Sequence, residues 1–272
     1  MIQGLNLLCN VGPVELDRSP FLELAFRRRA AVSRAVVTIP DPFGTVRGAL
    51  AVGQSVRIRF SYRGQPGMQT DWEGTIEAID QPSATAEDED AITVKAVGLE
   101  KKLTTTPVTE SFYNEPAKDV ARRLLERTGL PVASVDIPAD ILPYQIFSGV
   151  SVARCLRQIE ATLTRHFGRD MTKHAVWLSQ DGLHWSPDDE PGDTCTIATA
   201  ENLLTHTPPV AEGGRGVVTA MLLPGLTHSM KVHIRDSRRG VDATVRAEEV
   251  LHTFQARSNS TTVTYGKSEG WL

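Results

Sequence analysis

Seven histidines, His166, His174, His184, His206, His228, His233 and His252, are the residues best suited to bind a metal or move a proton near neutral pH. A zinc site on them needs two ligands one helical turn apart or a nearby Cys-x-x-Cys, and neither spacing occurs. Glu248-Glu249-Val250-Leu251-His252 superficially matches a zincin helix, but it lacks the first histidine and its period is that of a strand. Nucleophile motifs fail as well. Gly149-Val150-Ser151 does not complete Gly-x-Ser-x-Gly, and Ser151 is better placed as a helix cap. Gly44, Gly48 and Gly53 have neither P-loop nor dinucleotide spacing. Paired glycosidase carboxylates, separated by about 5–10 Å in space, leave no fixed trace in a sequence. The acids here cluster in loop-like runs such as Asp188-Asp189-Glu190. Glu87-Asp88-Glu89-Asp90 has no EF-hand spacing or glycine, so a solvated hairpin loop explains it. The expectation is therefore no catalytic residue, no metal ligand and no cofactor. Alanine at His184, His252 or Asp181 is expected to affect stability or assembly at most.

The densest basic cluster, Arg27-Arg28-Arg29, follows Phe21-Leu22-Glu23-Leu24-Ala25-Phe26. It reads either as an exposed strand end or as a contact for an acidic partner surface. Arg27, Arg28, Arg29 and Trp271 are the candidate interface residues. Trp177 and Trp185 are expected to pack across a tight hairpin rather than to form a ligand platform.

The elements that must carry these residues change period along the chain. Val36 to Ile39 runs into Pro40-Asp41-Pro42-Phe43-Gly44, where two missing donors and a permissive glycine predict a turn or sheet edge and no central strand. Strands follow at 56–62, 72–79 and 92–97. Ala117, Val120, Ala121, Leu124 and Leu125 then share one helical face, with Asn114 as N-cap, Pro116 in the first turn and Gly129-Leu130-Pro131 as the stop. A second helix should begin at Ser151 and bury Val152, Cys155, Leu156, Ile159 and Leu163. Val176 to Trp185 is an Asp-Gly hairpin. His206-Thr207-Pro208-Pro209 through Gly216 reads as a loop. In the final region Ala243, Val245 and Ala247 share one parity while Val250, His252 and Phe254 share the other, which predicts a β-bulge at Glu248-Glu249. Thr261, Val263 and Tyr265 supply a last strand.

Composition sets bounds on function. The 272 residues suffice for about two domains. With 29 basic and 33 acidic side chains and a net charge of −4, the chain lacks the basic balance of a dedicated nucleic-acid binder. Cys9, Cys155 and Cys195 are odd in number and without motif spacing, the pattern of a reduced site of synthesis. Neither a signal-peptide pattern nor a run of roughly 18 apolar residues occurs, so a soluble, untargeted protein without membrane insertion is expected.

Gln54-Ser55-Val56-Arg57-Ile58-Arg59-Phe60 reappears in kind as His228-Ser229-Met230-Lys231-Val232-His233-Ile234, and Gly74 to Ala78 is echoed by Ala243 to Ala247. Any two amphipathic strands align tolerably, but the order of the two echoes suggests two related β domains about a different middle region.

Several segments in this order resemble the baseplate or tail hub proteins of contractile phage tails and related injection machines. They are Ser33 to Pro42, Gly53 to Phe60, Trp72 to Ile76, Asn114 to Val120 with Gly129-Leu130, Asn202-Leu203-Leu204, Leu222 to Gly225, and Val250 to Phe254 with the threonine-rich end. The resemblance implies a mainly β fold with an α+β insert, in which two tail-tube-like β-barrels (residues 1–103 and 200–272) flank a small helix-containing domain (104–199). It implies a structural role in the virion baseplate, assembled in the host cytoplasm. There a homotrimer would join the hexameric tail tube, or a distal tube protein, to a central spike, with tape measure, sheath-initiator or baseplate wedge proteins further out. DNA would pass the channel without specific binding. A peptidoglycan-binding or peptidoglycan-cleaving tail enzyme is the alternative, motivated by the middle module; a small-molecule binding protein is the third reading.

Overall fold

A computed structural model describes residues 4–16, 21–28, 32–63, 68–80, 91–187, 194–211, 214–255 and 258–266. In chain order the first β region holds β1 (Leu5–Val11), β2 (Val14–Leu16), β3 (Phe21–Arg27), β4 (Arg34–Pro40), the short α1 (Thr45–Ala49), β5 (Ser55–Tyr62), β6 (Gln69–Asp80) and β7 (Ala91–Gly98). The middle region holds α2 (Lys102–Thr105), β8 (Pro107–Pro116), α3 (Ala117–Glu126), β9 (Val132–Val135), β10 (Ile141–Ser151), α4 (Val152–Phe167), β11 (Ala175–Ser179) and β12 (Gly182–Ser186). The last region holds β13 (Thr194–Ala198), β14 (Leu203–Thr207), β15 (Arg215–Met221), β16 (Lys231–Asp236), β17 (Val241–Gln255) and β18 (Ser258–Gly266). The fold is mainly β with a helix-containing insert.

Both outer β regions belong to one compact unit, residues 1–27, 32–99 and 192–269. Their strands form a single 13-stranded sheet, curled into an antiparallel half-barrel, in which β17 pairs with β3. Within it the same path occurs twice: β3-β4-β7-β6-β5 in the first half and β14-β15-β18-β17-β16 in the second. Each path is capped by one more strand, antiparallel β1 on β5 but parallel β13 on β16. Both β6 and β17 carry a bulge, between Ile76 and Ala78 and between Ala247 and Glu249, so Glu77 and Glu248 are the extra residues. The bulge predicted at Glu248-Glu249 is present.

Matching the halves through bulges and cross-strand partners corrects the alignment read from the sequence. Val56 pairs with Gly74 three residues before its bulge, and Val232 pairs with Val245 three before the other, so Val56 corresponds to Val232 and not to Met230. In this register Val56-Arg57-Ile58-Arg59-Phe60-Ser61-Tyr62-Arg63-Gly64 lies over Val232-His233-Ile234-Arg235-Asp236-Ser237-Arg238-Arg239-Gly240, with six of nine residues identical. Arg34-Ala35-Val36-Val37-Thr38 likewise lies over Arg215-Gly216-Val217-Val218-Thr219, since Val37 faces Val94 as Val218 faces Val263. A side-chain pair across the two strands is repeated too. Arg57 bonds Asp71 at 2.9 Å, and at the matching positions His233 bonds Asp242 at 2.6 Å. Arg57 and Arg59 together hold the Asp71 carboxyl below the usual carboxylate range.

The alternation predicted for these strands holds: Val56, Ile58 and Phe60 are buried, as are Val232 and Ile234. One continuous core runs through both halves, with Phe60 edge-on to Phe254 (4.9 Å) and to His252 (5.0 Å). Two expectations fail. β4 is interior, flanked by β3 and β7, because Pro40 stands at its last residue, where a missing donor breaks no interior ladder. His206 and Thr207, expected in a loop, form the end of β14.

The second unit, residues 28–31, 100–191 and 270–272, packs α3 and α4 on the β8–β10 pair, beside a sheet ordered β11-β12-β9. α3 buries the five residues its period selects, and α4 buries its predicted five as well as Ala153. Pro116 occupies the N-cap position of α3. Asn114 lies instead in β8 with φ 51°, a left-handed backbone that asparagine tolerates. In the hairpin Trp177 faces His184 and Trp185 faces Val176, so the two tryptophans lie on opposite faces and do not pack on each other.

Candidate functional site

Two clusters have the residue types of proton-transfer chemistry. On the β11–β12 hairpin, Ser179 and Asp181 both meet His184 Nε2 (2.8 and 2.9 Å), while Ser134 meets Nδ1 at 2.9 Å. Asp181 also accepts from the Ser179 hydroxyl, and these bonds hold its carboxyl low. The His184 ring stacks on Trp177 at 5.2 Å. A nucleophile–base–orienter relay requires a buried acid that fixes the imidazole from the far side. Here the acid is exposed and shares its ring nitrogen with a serine, so the cluster fastens a tight turn.

The second cluster lies in the sheet core. His206 Nδ1–H donates to Asp236 at 2.9 Å and Tyr265 O–H donates to His206 Nε2 at 2.7 Å, the one arrangement that satisfies a neutral ring on both sides. Asp236 also accepts from Arg239 at 3.2 Å and from the Arg238 amide at 3.1 Å. Burial raises its carboxyl pKa, but these donors outweigh that and the net direction is down. Both His206 and Asp236 side chains are fully enclosed, so no substrate reaches them. By the repeat, His206, Asp236 and Tyr265 occupy the places of Leu22, Phe60 and Ala96, a polar layer where the first half is apolar. Gly216 makes room for it. A Cβ there would meet the Tyr265 ring at 2.3 Å, whereas its counterpart Ala35 faces only Ala96. Gly216→Ala should therefore cost about 1–3 kcal/mol of stability by overpacking, measured by urea unfolding.

His252 is a third buried group. It accepts from Thr261 Oγ1 at Nδ1 and donates from Nε2 to the Leu226 carbonyl, both at 2.9 Å. Burial pushes its pKa down from 6.5 to about 4. The folded state thus refuses a proton that the unfolded chain takes up below about 6.5. Its share of stability is intact above that pH and is lost as the pH drops, the loss reaching roughly 3 kcal/mol near pH 4 at about 1.36 kcal/mol per unit. Unfolding curves from pH 7 to 4 should be less steep in pH for His252→Gln than for the parent chain.

Cys9 and Cys155 are likewise buried, and desolvation raises their thiols to about 12 and about 11, which leaves them unreactive. Among the described residues no group of three or more His, Cys, Asp or Glu is placed to hold a metal ion, and no helix is long and apolar enough to cross a membrane.

Of the expected interface residues, Arg27 is half-exposed and bonds Glu249 at 2.9 Å; Arg215 holds the other carboxylate oxygen at 3.0 Å. Arg28 departs from the expectation of an exposed end. It is fully buried, with its guanidinium 5.0 Å over the Trp177 ring and Nη2 donating to the Lys173 carbonyl at 3.3 Å. Arg29 and Trp271 lie outside the described residues.

The surfaces that remain are strand edges and one sheet face. β14 pairs with β15 alone, and the end of β6 beyond its bulge, Ala78 to Asp80, pairs with β7 alone among the described residues. On the β8–β10 pair, Phe112 and Phe147 face inward while Tyr113, Tyr144 and Ile146 are exposed. Sequence reasoning missed both edges. Their signal was available in the matched Arg34 and Arg215 segments, which align the halves strand for strand.

No protein-family model matches the sequence, and no curated protein matches it. Solved structures do. A tail protein from Neisseria meningitidis MC58 superposes with a TM-score of 0.70 at 12% identity, over 98% of both chains. The 43 kDa tail protein of prophage MuSo2 from Shewanella oneidensis gives 0.69 at 9% identity, over 96% of this chain and 97% of its own. An E. coli component of the type VI secretion system, itself described as similar to bacteriophage T4 tail proteins, gives 0.65 at 10% identity, over 99% of this chain and 76% of its own. The chain has the fold of phage tail proteins and of their counterparts in secretion machines, as the resemblance implied.

Proposed function

We propose that this chain is a structural hub of a phage-type tail baseplate, in which three copies form a ring between the hexameric tail tube and a trimeric spike. The internal duplication carries this reading. Three copies of a chain with two equivalent halves offer six near-equivalent β modules to a six-fold tube while keeping true three-fold symmetry for the spike. The shared fold with tail proteins supports the setting. The role is mechanical, and the two histidine clusters serve the fold. With a net charge of −4 per chain the ring is not basic overall, so DNA passes through its channel without being held. Arg27, half-exposed, meets an acidic neighbour at the rim. The test is location: a small tag on this chain, gold-labelled in purified particles, should mark the distal end of the tube on its axis. Label on the head, or scattered along the tube, would reject the reading.

A further inference from the structure

The chain contains its own template for how one copy joins the next. In the second half, β17 continues past its bulge as Glu249–Gln255, with β18 on one side and β3, the first strand of the other half, on the other. In the first half the described part of the matching segment, Ala78 to Asp80 of β6, has β7 on one side only, and β14, the counterpart of β3, has only β15 among the described residues. Among the described residues both members of the junction thus recur once more in each chain without their mate. We propose that the residues just after β14, Pro209 to Ala211, in one copy lie antiparallel on the end of β6, Ala78 to Asp80, in the next copy, as Ala25 to Arg27 lies on Glu249 to Leu251 within the chain. This rests on the ring reading above and specifies its joint.

The register follows from the repeat. Leu22 faces Val37 as His206 faces Val218, so Phe26 corresponds to Val210; the bulges set Val250 against Ile79. Phe26 and Val250 are opposite partners at the internal junction, and both are buried there, at 8% and 0% exposure. Their counterparts are apolar as well. Val210 is 103% exposed in the single chain, and Ile79 is only half-buried. An apolar pair that is covered at one junction and open at the other fits a second copy of the same chain. Pro208 and Pro209 withhold two donors from this edge, which blunts it against indiscriminate strand addition and leaves the Val210–Ile79 contact as a larger part of the joint.

The test is Ile79→Cys with Val210→Cys in the full chain, oxidised and run without reductant. Opposed residues of an antiparallel pair have Cα atoms about 4.5–5.5 Å apart, within disulfide reach. A ladder ending at three chains is expected, with neither single variant cross-linking. Val210→Asp, on the surface of the free chain, should leave the unfolding midpoint unchanged at concentrations where the chain is monomeric and weaken association at least tenfold. A trimer in solution without the cross-link overturns this joint but leaves the ring. A cross-link in closed species of two or six chains keeps the joint and rejects the three-copy ring. A chain that stays monomeric and unlinked at every concentration overturns the proposal.

Discussion

Asp236→Ala should destabilise the sheet unit by about 1–3 kcal/mol, the cost of leaving enclosed hydrogen-bonding groups without their acceptor. The carboxylate is the acceptor for His206, Arg239 and the Arg238 amide. Without it the His206 ring, enclosed and still bonded to Tyr265, loses its partner at Nδ1. The duplication supplies a rescue. Replacing the layer by its counterparts from the first half, with His206→Leu, Asp236→Phe, Tyr265→Ala and Gly216→Ala, should recover most of the loss, since well-packed apolar groups often equal or exceed a buried ionic network. Urea unfolding of the single and fourfold variants checks both parts. A fourfold variant no better than Asp236→Ala would mean that the two halves are not equivalent in packing.

Trp185→Ala should cost about 3–5 kcal/mol in the helix-containing unit. Trp185 is among the largest side chains fully enclosed in the molecule, opposite Val176 on a hairpin otherwise fixed by the turn cluster of Ser179, Asp181 and His184. His184→Ala, which removes the bonds to Ser134, Ser179 and Asp181 and the stack on Trp177, should cost less, about 1–2 kcal/mol. The contrast separates a core tryptophan from a ligand platform. Thermal unfolding followed by near-ultraviolet circular dichroism distinguishes them, and the reverse order of effects would contradict the assignment.

Local features were readable from the sequence where one physical rule dominated. The five-residue apolar face of α3, the Ser151 boundary of α4 and the parity change at Glu248 each follow from a period that packing did not override. The failures share a different cause. Val56 was matched to Met230 rather than Val232 because strand alternation repeats every two residues, so a slip of two keeps every apolar residue on the same face. Only the bulges and cross-strand partners fix that register. Pro40 misplaced β4 because a proline at the last residue of an interior strand looks like one at an edge. Arg28 was expected outside because burial of an arginine depends on a tryptophan about 150 residues later, a contact no local pattern announces. The open ends of β6 and β14 escape any local pattern because an edge is defined by which strand is missing beside it; only the long-range match of the Arg34 and Arg215 segments points to them.

On the hub reading, two equivalent halves in one chain convert six-fold into three-fold symmetry. The most direct measurement is the number of copies in an assembled tail, by electron cryomicroscopy of the baseplate with the symmetry of this layer left free. Three copies on the tail axis, showing six similar β modules toward the tube, is the predicted result. Six copies in the ring, or a single copy lying off the axis, would contradict it.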